Sequence, residues 1–148
     1  MNMRLVRFTK WLLDVMFFVG IGITVGIPGI FFVVGNYIEA FREYYLIQCI
    51  LYMASGVLAL ILVGELRKMF VTVLKDRAFV RENAASLKRM GKCSFLIAAL
   101  SVARLPISLT PATAVIIIVF AIAGLFCFVL CQVFEKAIQY KEENDLTI

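Results

Sequence analysis

The chain has 148 residues, 63% of them hydrophobic and only 17% charged, with a formal net charge of +5. Average soluble chains are about 45–50% apolar and about 25% charged, so a soluble domain carrying one anchor does not fit, and a single small membrane domain covering 1–148 does. With no histidine and no CxxC in the sequence, no zinc site and no ordinary nucleophile–base pair can be assembled. No cofactor, metal ligand or catalytic residue is therefore expected.

Arg4, Arg7 and Lys10 precede the first apolar stretch, 11–35. It is too long for a signal-peptide core and lacks a clean cleavage site, so it reads as a retained helix. Gly22-x-x-x-Gly26, flanked by Gly20 and Gly29, has the spacing that lets membrane helices approach closely, and it is a candidate seam for a homo-oligomer. Pro28 is expected to kink or end this helix, and Asp14 falls at the interface.

The loop 36–44 carries Arg42 against Glu39 and Glu43, and a second apolar stretch follows at 45–63. Beyond it, Leu66, Met69, Phe70, Val73 and Leu74 form an amphipathic helical stripe. The second helix should continue about 18 Å past the bilayer, break near Asp76–Phe79, and be answered by a second amphipathic segment with Val80, Ala84, Leu87 and Gly91 on one side. The segment 64–92 is thus a helical hairpin extending the second and third spans. It carries eight of the 15 Lys and Arg residues.

The third span, 93–109, is the weakest, because Arg104, Pro106 and Pro111 crowd its end. Arg104 is the intramembrane candidate, since ionisable groups at such depth are functional by default; it is expected to snorkel to the outer interface. The fourth span is 112–134, and the tail 135–148 is acidic. The four cysteines, Cys49, Cys93, Cys127 and Cys131, read as packing residues.

Lys and Arg concentrate at the N-terminus, in the hairpin and in the tail, which the positive-inside rule places in the cytoplasm. The expected fold is therefore an all-α integral membrane four-helix bundle, N-in/C-in, with a cytoplasmic hairpin. The basic hairpin faces anionic lipid, serves as a dock for the acidic tail, or binds a cytoplasmic protein. Its interface candidates are Arg67, Lys68, Lys75, Arg77, Arg81, Glu82, Asn83, Lys88 and Arg89, with Glu142, Glu143, Asn144 and Asp145 on the tail. Glu82-Asn83 is a candidate cap for the second hairpin helix. No recognition motif points to direct nucleic-acid binding.

Two stretches carry a resemblance: Leu66-Arg67-Lys68-Met69-Phe70 with Phe79-Val80-Arg81-Glu82-Asn83, and the terminal Glu143-Asn144-Asp145-Leu146-Thr147-Ile148. With four spans around them, the chain resembles the YoaS-like family of small bacterial membrane proteins, a domain-of-unknown-function family. The resemblance implies a multi-pass protein of the bacterial inner membrane, encoded beside a small helix-turn-helix regulator and serving it as a membrane partner. The expected function is non-enzymatic: a regulatory or scaffold role through hairpin and tail. The alternative is a small transporter, channel or immunity-type protein acting on a peptide or lipid.

Overall fold

The computed structural model describes residues 2–107 and 109–146, apart from the side chain of Ala40, and contains no strand among them. Helix α1 spans Met3–Val34, a short α2 spans Glu39–Glu43, and three long helices follow: α3 (Tyr45–Leu74), α4 (Arg81–Ala103) and α5 (Pro111–Leu146). Asn2 Oδ1 accepts from the backbone N–H groups of Arg4 and Leu5, and so caps α1. At the other end of the fold, Thr110 Oγ1 accepts from the Thr113 N–H, with Pro111 in the first turn of α5. α1 runs through Pro28 instead of ending there; Tyr45 Oη donates to the Pro28 carbonyl at 2.7 Å.

α1, α3 and α5 are each long and apolar enough to cross a membrane. α4, the expected third span, is not. Its first half carries Arg81, Lys88, Arg89 and Lys92, and it stops at Ala103, so the expected stretch 93–109 is helical only in its first part; Ser108 lies outside the described residues. α4 packs between α3 and α5, so protein covers two sides of it.

The bundle is open. Among the described residues, α1 packs on α2 and α3, α3 on α4, and α4 on α5, with no contact between α1 and α4 or α5. Two of these joints are locked by glycines. A Cβ on Gly56 would lie 2.7 Å from Thr24 Oγ1, and one on Gly20 would lie 2.9 Å from Leu60 Cδ2, so α1 and α3 approach closely at these points. On the other side, Gly91 receives the Phe128 ring and Gly124 the Phe95 ring, and the two rings stack with centroids 5.7 Å apart. Gly22 and Gly29 have nothing within 4 Å of an added Cβ, and Gly26 meets only Ile30 of its own helix. The Gly22-x-x-x-Gly26 motif is thus not what joins α1 to its neighbour.

The acidic tail meets the hairpin as a helix: residues 135–146 continue α5. Ile138 is buried, in one cluster with Ala84, Leu87, Met90, Cys127 and Cys131, against Leu66, Met69 and Phe134. Three helices, not two, therefore extend about 16–18 Å past the apolar spans as one packed body. Thr147 and Ile148, the end of the expected tail, lie outside the described residues.

The turn between α3 and α4 breaks where the sequence places it. Asp76 adopts φ 60°, a left-handed conformation that Asp tolerates better than most residues. Asn83 does not cap α4; the cap position is Val80, which makes no side-chain cap bond. Asn83 is buried and its Nδ2 donates to the Ala78 carbonyl and to Thr72 Oγ1, both at 2.7 Å, tying the turn to both helices. An Asn83→Ala variant is expected to lose about 1–3 kcal/mol, read as earlier thermal unfolding and faster proteolysis at 75–80.

Candidate functional site

Two regions are candidates for function: the three-helix head and the joint between α3 and α4.

In the head, three of the seven cations expected to meet the tail, Arg67, Lys68 and Arg89, are held by other carboxylates. Arg67 Nε donates to Asp14 Oδ1 at 2.7 Å, Lys10 Nζ reaches Asp14 Oδ2 at 3.2 Å, and the Arg67 guanidinium lies 4.6 Å from the Phe17 ring centroid. Arg67 thus ties α3 to α1. Arg89 donates from Nε and Nη2 to the two oxygens of Glu65, each at 3.0 Å, and Lys68 Nζ stands 3.5 Å from the same carboxylate. Glu65 is only 6% exposed. The hydrogen bonds to Glu65 raise the Arg89 pKa above its ordinary value, so this pair stays charged at any physiological pH. Glu65 was missed in the sequence; the signal available was a carboxylate at the very end of an apolar span.

Arg81 is the hairpin cation that salt-bridges the tail among the described residues. Arg81 Nη2 donates to both oxygens of Glu142, at 2.7 and 2.9 Å, on the surface, an arrangement worth about 0–1 kcal/mol. Glu143 accepts from Gln139 on its own helix. Asn144 and Asp145 lie exposed on the last turn, and Glu82 on the first turn of α4. Lys75, Arg77 and Lys88 are exposed, and no salt bridge engages them among the described residues.

The α3–α4 joint is antiparallel, and its register is fixed by three contacts: Thr72 with Asn83, Glu65 with Arg89, and Tyr52 with Arg104. Facing residues on α3 fall at heptad spacing: Gln48, Ser55, Leu62, Met69. On α4 the corresponding lines are Leu87, Ser94, Ser101 and Met90, Ile97, Arg104. Toward the turn between the two helices, Leu62, Met69, Leu87 and Met90 meet, beside the paired Glu65 and Arg89; toward the other end the joint holds polar groups without partners.

Arg104 does not snorkel. It is 3% exposed, and its guanidinium carbon lies 4.0 Å from the Tyr52 ring centroid. Nη2 donates to Ser101 Oγ at 3.1 Å, while Nε and Nη1 are buried without an acceptor. Gln48 is fully buried with neither amide atom bonded, and Ser55 Oγ and Ser94 Oγ are likewise buried without partners. Tyr52 is itself packed edge-on against Phe31, at 4.9 Å between centroids. Gln48, Ser94 and Ser101 were not singled out in the sequence, and Ser55 stood out only as a small residue for close helix packing, because only ionisable groups were sought inside the spans.

The cysteines are all free and buried. Cys131 Sγ lies 3.2 Å from the Ala84 carbonyl, at the α4–α5 contact. No group of three or more Cys, Asp and Glu side chains could hold a metal ion among the described residues.

No curated protein and no solved structure matches the chain. A family model for proteins of unknown function, DUF2975, matches residues 35–148, beginning immediately after α1, and the chain belongs to that family.

Proposed function

We propose that this chain is a non-enzymatic protein of the bacterial inner membrane, of the YoaS-like kind, that serves a cytoplasmic helix-turn-helix regulator as a membrane partner. Its topology in this reading is four-span and N-in/C-in. α4 crosses as the protein-covered element, which relieves it of the need to be apolar all round.

The observation that carries the reading is the three-helix head. α3, α4 and α5 run past their apolar parts as one packed, charged body. Lys75 and Arg77 stand at its turn and Lys88 on α4, all open to solvent. The pairing of Arg67 and Arg89 inside the fold narrows the docking surface to these three cations and the exposed end of α5. They also face the headgroups of anionic lipids, each contributing about 1 kcal/mol near the surface.

A photo-crosslinking residue placed at Arg77 in living cells is expected to capture a small DNA-binding protein, and Lys75→Glu with Lys88→Glu to abolish the capture. Crosslinks to lipid alone would remove the regulatory reading. The polar end of the α3–α4 joint favours a second reading, a small transporter, channel or immunity-type protein acting on a peptide or lipid. That reading requires solute flux in reconstituted vesicles that is lost in Arg104→Ala.

A further inference from the structure

We infer that Arg104, with Gln48 and Ser55, forms a binding site for an oxyanion, a phosphate or carboxylate group, at the non-cytoplasmic end of the α3–α4 joint. A guanidinium carries N–H donors and no acceptor. Here Tyr52 covers its face and Ser101 takes one nitrogen, leaving Nε and Nη1 buried with nothing to accept from them. Gln48 Nε2 and the Ser55 hydroxyl are further donors without partners, and Gln48 Oε1 is likewise unpaired. By the register that sets Tyr52 opposite Arg104, Ser55 falls opposite Ser101, and Gln48 lies one turn beyond Tyr52.

A charge held at this depth is costly unless it is neutralised, and the chain has nothing to neutralise it with. No Asp or Glu occurs in 15–38, 44–64 or 83–134. Asp14 is committed to Arg67 and Lys10, and Glu65 to Arg89 and Lys68, in both cases toward the cytoplasmic end. Glu39 and Glu43 lie exposed on α2. The counter-charge must therefore come from outside the chain, and an acceptor-only anion is the complement of the unpaired Arg104 N–H groups. Two sources supply that chemistry: the phosphate of a lipid headgroup from the facing leaflet, or a soluble anion arriving from the same side.

The test uses the full chain in a non-ionic detergent and follows its thermal midpoint. One arm adds phosphatidylglycerol; the other adds inorganic phosphate or acetate against chloride at constant ionic strength. A saturable rise of several degrees in either arm, absent in Arg104→Gln, is the expected result, and the responding arm names the source. Gln48→Leu is expected to weaken the apparent affinity about tenfold, the loss of one hydrogen bond to a charged group. It also provides the readout if Arg104→Gln does not fold. A flat response in both arms, or a rise that persists in Arg104→Gln, would overturn the proposal.

Discussion

Replacing Arg89 by alanine is expected to destabilise the protein by about 3 kcal/mol, and replacing Glu65 by glutamine by only about 1 kcal/mol. The asymmetry follows from burial. The Glu65 side chain is 7% exposed and the Arg89 side chain 51%. Without Arg89 a carboxylate is stranded inside the α3–α4 joint, with the Ser86 hydroxyl and Lys68 at 3.5 Å left to offset it. Without the Glu65 charge, the half-exposed guanidinium simply turns to water. A Glu65→Leu/Arg89→Leu double variant should recover most of the loss, because a buried pair replaced as a unit is often neutral. Unfolding in mixed micelles measures all three. Equal losses for the two single variants would show that the carboxylate is not the buried partner.

Gly56→Ala is the second large effect. Its new Cβ would stand 2.7 Å from Thr24 Oγ1 and 3.0 Å from Thr24 Cγ2. Threonine is branched at Cβ and stiff, so the helices must part. Overpacking of this kind costs about 1–3 kcal/mol. Gly22→Ala is expected to change stability by less than about 0.5 kcal/mol, since nothing lies within 4 Å of its added Cβ. Thermal unfolding of the two variants in the same detergent decides between α1 packing on α3 through Gly20 and Gly56 and packing through the Gly22-x-x-x-Gly26 face.

Much of the helical layout is legible in the sequence, because membrane spans and amphipathic stripes are local patterns. The start of α3 at Tyr45, the break at Asp76 and the early end of α4 before Pro106 all follow from apolar runs and breakers. The partners of the cations are not legible in this way. Arg67 meets Asp14 across 53 positions and Arg89 meets Glu65 across 24, so a count of positive charges in 64–92 overstates the free ones. The tail looked unlike a packed helix because its acids and lysines crowd 135–145. Only Phe134 and Ile138, spaced four apart, marked the face that joins the core. The polar joint was readable in principle: Gln48 and Ser55 on α3, and Ser94 and Ser101 on α4, are each seven apart inside otherwise apolar runs. What the sequence could not supply was that these lines face each other.

The arrangement also relates the two regions physically. α3 and α4 carry both the Arg104 end and the Glu65–Arg89 pair, and the same two helices form two-thirds of the three-helix head. A ligand that tightens one end of the joint acts on the helices that present Lys75 and Arg77.

In the proposed topology the head faces the cytoplasm. Single cysteines at Tyr37→Cys, Asp76→Cys and Tyr140→Cys, all exposed positions, can be treated with a membrane-impermeant maleimide in a background whose native cysteines are replaced. The prediction is that Tyr37→Cys reacts in intact cells, while Asp76→Cys and Tyr140→Cys react only after the membrane is opened. Labelling of Asp76→Cys in intact cells would contradict it and place the head on the wrong side for any cytoplasmic partner.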